Sequence, residues 1–234
     1  MSEYDAIARL YDPWSASVVE DISFYVEEAL QAAARPVVEL GVGTGRIAIP
    51  TALAGVQVIG VDASEGMLAV CAEQAARAGV GDRLELRQGD LRRPPVDERV
   101  LLVTCPFRAL LHLTTDEDRL QALSAARELL VPGGRLIFDV FVPSQDDIDD
   151  TDGKWIEREP GIDERADWDL EGRTLTLRVR DHETDTTMQL HWLEPERWLA
   201  LLAEAGLTVD AVYGWFDRRS YDGGEDTIFV TRRR

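Results

Sequence analysis

A strand that breaks into glycines and reopens as a helix is a place where backbone can meet a ligand, and residues 37–46, VVELGVGTGR, read that way. Gly41, Gly43 and Gly45 permit a sharp turn and a close approach, and in open α/β sheets such turns border a crevice at the strand ends. A nucleotide-like ligand is the expectation. The dinucleotide fingerprint GxGxxG needs a third glycine for close helix packing, whereas GVGTGR places Arg46 there. Glu39, an anion just before the loop, opposes phosphate and suits a cationic amino group, so a zwitterionic ligand fits better than a pyrophosphate. Asp62 ends the next apolar run, VQVIGVD, where a carboxylate can accept from both ribose hydroxyls of an adenosine. Further on, QGDL offers Asp90 to an adenine amino group and Leu91 to the face of the ring. Each feature has a bland counterpart: a glycine serves a tight turn, Asp62 or Asp90 caps a helix, Met67 packs a core. It is their combination that describes an adenosine site.

The elements that must hold these residues follow from periodicity. From Pro36 to Phe141, short β-branched runs alternate with longer Ala- and Leu-rich stretches, the order of a parallel sheet covered by helices. Strands are expected at PVVEL, VQVIGVD, RLELRQ, RVLLVT and GRLIFDVF, and helices over Arg46 to Ala54, Glu65 to Ala78 and Asp116 to Leu130. Pro132, Gly133 and Gly134 are expected to end the last of these, with the next strand beginning at Arg135. After Val142 the acidic run SQDDIDDTDG reads as a solvent-exposed junction. Two-residue alternation in RTLTLRVRDHE and TTMQLHWL then predicts antiparallel hairpins, an inserted β-platform. A helix over Glu194 to Ala205 and a hairpin of LTVDAVYG with EDTIFVTR close the chain. The N-terminal YDAIARLYDPW, with Tyr4, Tyr11 and Trp14, predicts an amphipathic helix laid over the core.

With these motifs in this order, the chain resembles the class I S-adenosylmethionine-dependent methyltransferases of small-molecule type: VVELGVGTGR is similar to their first motif, VIGVDASEGML to their second, LRQGDL to their adenine-contacting segment. The resemblance runs from Pro36 to Phe141 and resumes over Trp192 to Val230. It implies a Rossmann-like, doubly wound α/β fold with a seven-stranded sheet, the last strand antiparallel, and the β-platform inserted after strand 5. It implies an N-terminal helical lid over residues 1–35, a cofactor-binding domain of residues 36–145 and 193–234, and a substrate-covering insert at 146–192. S-adenosyl-L-methionine is the implied cofactor, with contacts at Tyr11, Glu39, Gly41, Gly43, Thr44, Asp62, Ala63, Met67, Gly89, Asp90, Leu91 and Cys105.

Catalytic candidates are sparse, as methyl transfer allows. The displacement mainly needs an aligned acceptor and excluded water, so a strong base is optional. His112, in the loop after strand 4, has an intrinsic pKa suited to proton transfer near neutrality, and Tyr11, with Tyr4 as a second candidate, comes from a segment that closes over the cofactor in related enzymes and is expected at its methionine end or the acceptor. The bland reading of His112 is a packed core histidine. Cys105 has no adjacent base and is expected beside the cofactor without reacting. Trp155, Trp168, His191, Trp192, Trp215, Phe216 and Tyr221 are candidate pocket walls, with packing the commoner fate of such residues.

Bulk properties exclude other classes. A net charge of -19 and a pI near 4.5 disfavour nucleic-acid substrates, which are bound through Lys and Arg. Two cysteines, Cys71 and Cys105, lack metal-ligand spacing or a disulfide framework, and no run is long and apolar enough for a bilayer. A cytoplasmic enzyme acting on a small-molecule acceptor, without metal, membrane or nucleic acid, is the reading, with a homodimer left open. Acceptor identity and nitrogen or oxygen specificity stay open, as do two neighbouring functions: another transferase using the same cofactor, such as aminopropyl transfer, or a catalytically silent binding protein. An NAD-dependent oxidoreductase is opposed by Arg46.

Overall fold

The computed structural model describes residues 3–234; Met1 and Ser2, the start of the segment read as a lid, lie outside the described residues. In chain order the elements are α1 (Tyr11–Trp14), α2 (Ile22–Gln31), β1 (Val37–Leu40), α3 (Ala48–Leu53), β2 (Val58–Asp62), α4 (Glu65–Arg77), β3 (Leu84–Gln88), β4 (Val100–Cys105), α5 (Asp116–Leu129), β5 (Leu130–Phe141), α6 (Gln145–Thr151), β6 (Trp155–Glu159), β7 (Ile162–Asp169), β8 (Thr174–Arg180), β9 (Asp185–His191), α7 (Pro195–Glu204), β10 (Leu207–Tyr213) and β11 (Asp226–Arg233). A seven-stranded sheet runs β10-β11-β5-β4-β1-β2-β3, and a separate four-stranded sheet runs β6-β7-β8-β9. The pairs β1/β2, β1/β4, β2/β3 and β4/β5 are parallel, while β11, last in the chain, lies antiparallel between β5 and β10.

Alternation along β5 shows how both faces are filled. Leu136, Phe138 and Val140 point into one core with Leu123 and Leu129 of α5 and Trp198 and Leu201 of α7. Ile137 points the other way, into a core with Phe24, Tyr25 and Ala29 of α2, Leu102 and Ile228. Such two-sided burial is why the central strands read as continuous apolar runs. The same parity sends Asp139 to the α2 face, where Tyr25 meets it.

Four expectations are corrected. Helix α5 ends at Leu129 and the strand starts at Leu130, so Pro132, Gly133 and Gly134 lie within β5, in the stretch where its register with β4 shifts between Val100 and Leu102. The acidic run after Val142 is the solvent-exposed junction expected, but it is helical (α6) in place of turns, because Ser144 accepts the Asp147 N–H as an N-cap and Asp146 and Asp147 favour the positive end of the helix. The insert holds four strands; β6 and β7 were missed because charged WIERE and IDERADWD alternate weakly. The N-terminal segment is one 3-10 turn at Glu3–Asp5 and the four-residue α1, with turns between them.

Candidate functional site

The glycine turn after β1 needs its glycines for separate reasons. Gly41 (φ 76) would place a Cβ 2.8 Å from the Ala109 Cβ, so a side chain there meets both strain and a clash. Gly43 (φ 54) would place its Cβ in open space. Its N–H instead donates to the Asp62 carboxylate at 2.8 Å, whose other oxygen accepts from the Ser64 N–H at 2.9 Å. Burial pushes the Asp62 carboxyl up, opposed by the backbone N–H groups of Ser64, Gly43 and Ala63. A carboxylate has about four lone-pair sites, so Asp62 retains acceptor capacity beyond these backbone donors.

A half-open cleft of about 180 Å³ lies at these strand ends and is lined by Tyr4, Tyr11, Gly41, Gly43, Asp62, Ala63, Met67, Leu91, Pro106, Phe107, Ala109 and His112. Eight of the thirteen cofactor and catalytic candidates therefore share one cavity, Tyr11, Gly41, Gly43, Asp62, Ala63, Met67, Leu91 and His112, and Tyr4 joins them. Five lie outside its lining. Glu39 is 3% exposed beneath the loop, and burial, opposed chiefly by Arg46, lifts its carboxyl to about 8, so near neutral pH it holds its proton. Thr44 is buried and donates to Asp12. At Gly89 a Cβ would fall 2.3 Å from the Pro95 ring, a packing reason for glycine. Asp90 is half exposed and gripped through both oxygens by Arg92. Cys105 is buried at the end of β4 with its thiol pushed up by burial. Among the suggested aromatic walls, Trp168 packs on Phe141 and Trp192, Trp155 lies under Arg180, and Phe216 packs on Phe24 and Tyr25; none lines the cleft.

The N-terminal segment forms one wall, fastened by side chains of the loops it covers. Asp5 accepts from the Ser64 hydroxyl at 2.6 Å and the Gly66 N–H at 3.1 Å, so it sits on the first turn of α4. Asp12 accepts from the Thr44 hydroxyl and from the Gln74 amide. The Trp14 indole donates to Glu164 of β7 at 2.8 Å, tying the segment to the second sheet. Thus Tyr4 and Tyr11 are presented to the cleft by contacts made to the second motif, the glycine loop and the insert together.

Opposite them stands the loop after β4. Tyr4 Oη lies 2.9 Å from His112 Nε2, and the two rings meet edge to face at 5.2 Å. Burial takes the imidazole down to about 4, against a hydrogen bond to the Gln189 backbone, so His112 is neutral near pH 7. Burial holds the Tyr11 hydroxyl well above its ordinary value. Phe107 stands at right angles to Tyr11, with ring centroids 6.4 Å apart, and the Arg46 guanidinium lies 4.4 Å from its ring centroid. Arg46 is itself fixed by two 2.6 Å bonds to buried Asp21. Phe107 (φ 54) and Arg108 (φ 63) both hold left-handed backbone, costing on the order of 1 kcal/mol or more each. The sequence places Phe107 in the loop after strand 4, beside Cys105 and His112, without giving it a role; its ring lines the cleft.

Residues 37–134 match a family model described as a methyltransferase domain. The chain is 31% identical over 130 residues to a protein of Geobacillus sp. (strain WCH70) named "putative methyltransferase", covering 56% of this chain and 50% of that protein, so it spans about half the length of that curated relative. Among solved structures it is similar to the CcbJ methyltransferase from Streptomyces caelestis, with a TM-score of 0.87 and 28% identity over 100% of this chain and 98% of that one. It also shares the fold of CalS10, an amino pentose methyltransferase from Micromonospora echinaspora solved with SAM bound, with a TM-score of 0.63 and 23% identity over 100% and 92% of the two chains. No helix among the described residues is long and apolar enough to cross a membrane.

Proposed function

We propose, from the premise that residues 37–134 are a class I S-adenosylmethionine-dependent methyltransferase domain, that this protein methylates a nitrogen of a small-molecule acceptor. The observation that carries the reading is one cleft holding Asp62 with the glycine turn and, in its wall, the Tyr4–His112 pair.

The residues present fit the cofactor. Asp62 has acceptor capacity left for ribose hydroxyls, the open side of Gly43 admits a ligand against the backbone, and Leu91 and Met67 offer apolar surface to a base. Bound S-adenosylmethionine supplies a methyl group on a sulfonium centre, which an in-line nucleophile displaces. The chain's own contribution is alignment and exclusion of water. Tyr11 and Phe107 wall the cleft, and the Tyr4 hydroxyl, held on the neutral Nε2 of His112, is oriented to hydrogen-bond an acceptor.

The choice of nitrogen rests on proton chemistry. A hydroxyl acceptor needs a base that takes its proton, but His112 is pushed down to about 4 and is a weak base at neutral pH. Burial raises the Tyr11 phenol, so it stays protonated. An amine that arrives neutral carries its own lone pair and needs orientation alone. The resemblance to an amino pentose methyltransferase agrees with that chemistry.

The test is calorimetric titration with S-adenosylhomocysteine and, separately, NADH, followed by a screen of amines and matched alcohols read by a mass gain of one methyl group. Binding of S-adenosylhomocysteine alone, with transfer to amines, supports the reading. NADH binding in its place would overturn the cofactor, and transfer to alcohols only would overturn the nitrogen assignment. Mass gain of an aminopropyl group, or binding without any turnover, would move the protein to one of the two neighbouring functions.

A further inference from the structure

Two consecutive non-glycine residues in left-handed backbone at a ligand cleft need something to hold them. Asp139, at the end of β5 and 4% exposed, faces the Phe107–Arg108 tip from below. One of its oxygens accepts the Phe107 N–H at 2.8 Å and the Tyr25 hydroxyl at 2.6 Å; the other accepts the Arg108 N–H at 3.0 Å. Asp139 is not part of the cleft lining, yet Phe107 is. A carboxylate that takes both N–H groups of a strained tip fixes the plane of the aromatic wall that the tip carries.

We propose that Asp139 is a positioning residue of this enzyme, its carboxylate clamping the Phe107–Arg108 tip so that the Phe107 ring stands between Tyr11 and Arg46 against the bound ligand. The proposal rests on the cofactor reading of the cleft. Burial lifts Asp139 to about 6; the Tyr25 hydroxyl, Arg108 and the Phe107 N–H oppose that rise, and Asp21 adds to it. Arg46 and Cys105 also feel this carboxylate, from the glycine loop and the end of β4. The clamp is complete in the ionised form. Protonation turns one acceptor oxygen into a donor facing an N–H.

The experiment uses the full chain and titrates S-adenosylhomocysteine between pH 5 and 8, with melting temperature recorded for each variant. Wild-type affinity should fall as pH drops below about 6. Asp139→Asn sets an amide NH2 against a backbone N–H, and should weaken binding roughly tenfold at pH 8 while flattening the acid limb. Adding Arg108→Gly to that variant should recover most of the loss, because glycine adopts the left-handed angles unaided. Tyr25→Phe removes a donor that lowers the carboxyl and should move the acid limb to higher pH, a result available even where Asp139→Asn fails to fold. Wild-type binding by Asp139→Asn, a loss that Arg108→Gly leaves unrecovered, or an unmoved limb in Tyr25→Phe would overturn the proposal. If the wild-type chain does not bind S-adenosylhomocysteine at all, the cofactor reading falls and this one with it; if the wild type binds and Asp139→Asn binds equally, this one falls alone.

Discussion

Replacing Glu39 by glutamine should stabilise the protein, and by more as pH rises. The side chain lies 3% exposed under the glycine turn, beside Thr104 in the parallel register of β1 and β4. Burial lifts its carboxyl from the ordinary 4.5 to about 8, opposed by Arg46 and an N–H of Ala48 and helped by Asp21. Unfolded, it ionises near 4.5. Unfolding between those two pH values therefore releases a proton, and the stability associated with protonated Glu39, complete below 4.5, is lost as pH rises through 8. At about 1.4 kcal/mol per pH unit the loss over that window reaches roughly 5 kcal/mol. Glutamine has the same size and no proton to lose. For a chain this long, where 1 kcal/mol moves the melting temperature about 2–4 °C, the variant should melt roughly 10–20 °C above wild type at pH 9. Thermal unfolding followed by circular dichroism from pH 4 to 9 measures this. The two curves should converge near pH 4.5 and separate steadily above it. Parallel curves over the whole range would refute a buried neutral Glu39, and with it the account of how the loop tolerates an acid beneath it.

Three further outcomes follow from the site. Asp62→Ala removes a charged acceptor whose hydrogen bonds are worth about 1.5–3 kcal/mol each, so S-adenosylhomocysteine binding should weaken at least ~100-fold by calorimetry; near-native affinity would sink the assignment of Asp62 to the ribose. Tyr4→Phe should lower kcat roughly tenfold with an accepted amine, for one lost hydrogen bond, while leaving S-adenosylhomocysteine affinity close to wild type, and equal losses in both would place Tyr4 on the cofactor instead. Cys71, pushed up to about 12 by burial, and Cys105, pushed up by the same cause, are both buried. Neither should react with a thiol-specific chromogenic disulfide at pH 8 until the fold opens, and rapid labelling of native protein would contradict the packing around the glycine turn.

What the sequence makes legible is local. Glycine turn, acid at the strand end and acidic third-strand motif are each confined to a few neighbouring residues, and Gly41, Gly43, Asp62, Met67 and Leu91 do share a cleft. Two of the elements that depart from expectation are those where two local rules compete. Pro132 and the two glycines after it are strong helix stops, yet α5 has already ended at Leu129, and the acids that mark a solvent-exposed junction are also what the first turn of α6 favours. Contacts between distant residues were beyond local pattern altogether. Tyr4 and His112 are 108 positions apart, Tyr25 and Asp139 114, and nothing in either neighbourhood announces its partner.

Sheet parity shows what that missing information is made of. Glu39, Thr104 and Ile137 are register partners across β1, β4 and β5, and Asp139 lies two residues beyond Ile137 on the same face. All of them face α2, which brings Tyr25, and the approach to α2, which brings Asp21 and hence Arg46. The acids read singly as a possible ligand contact and an unremarkable strand residue thus belong to one buried polar layer beneath the cleft floor. Neighbours on that layer alternate with apolar ones facing α5 and α7, so a one-residue slip of β5 would exchange Asp139 for Phe138. The register that closes the core also delivers the carboxylate to the Phe107–Arg108 tip, and this coupling is why a strand buried among helices can decide the shape of a ligand cleft.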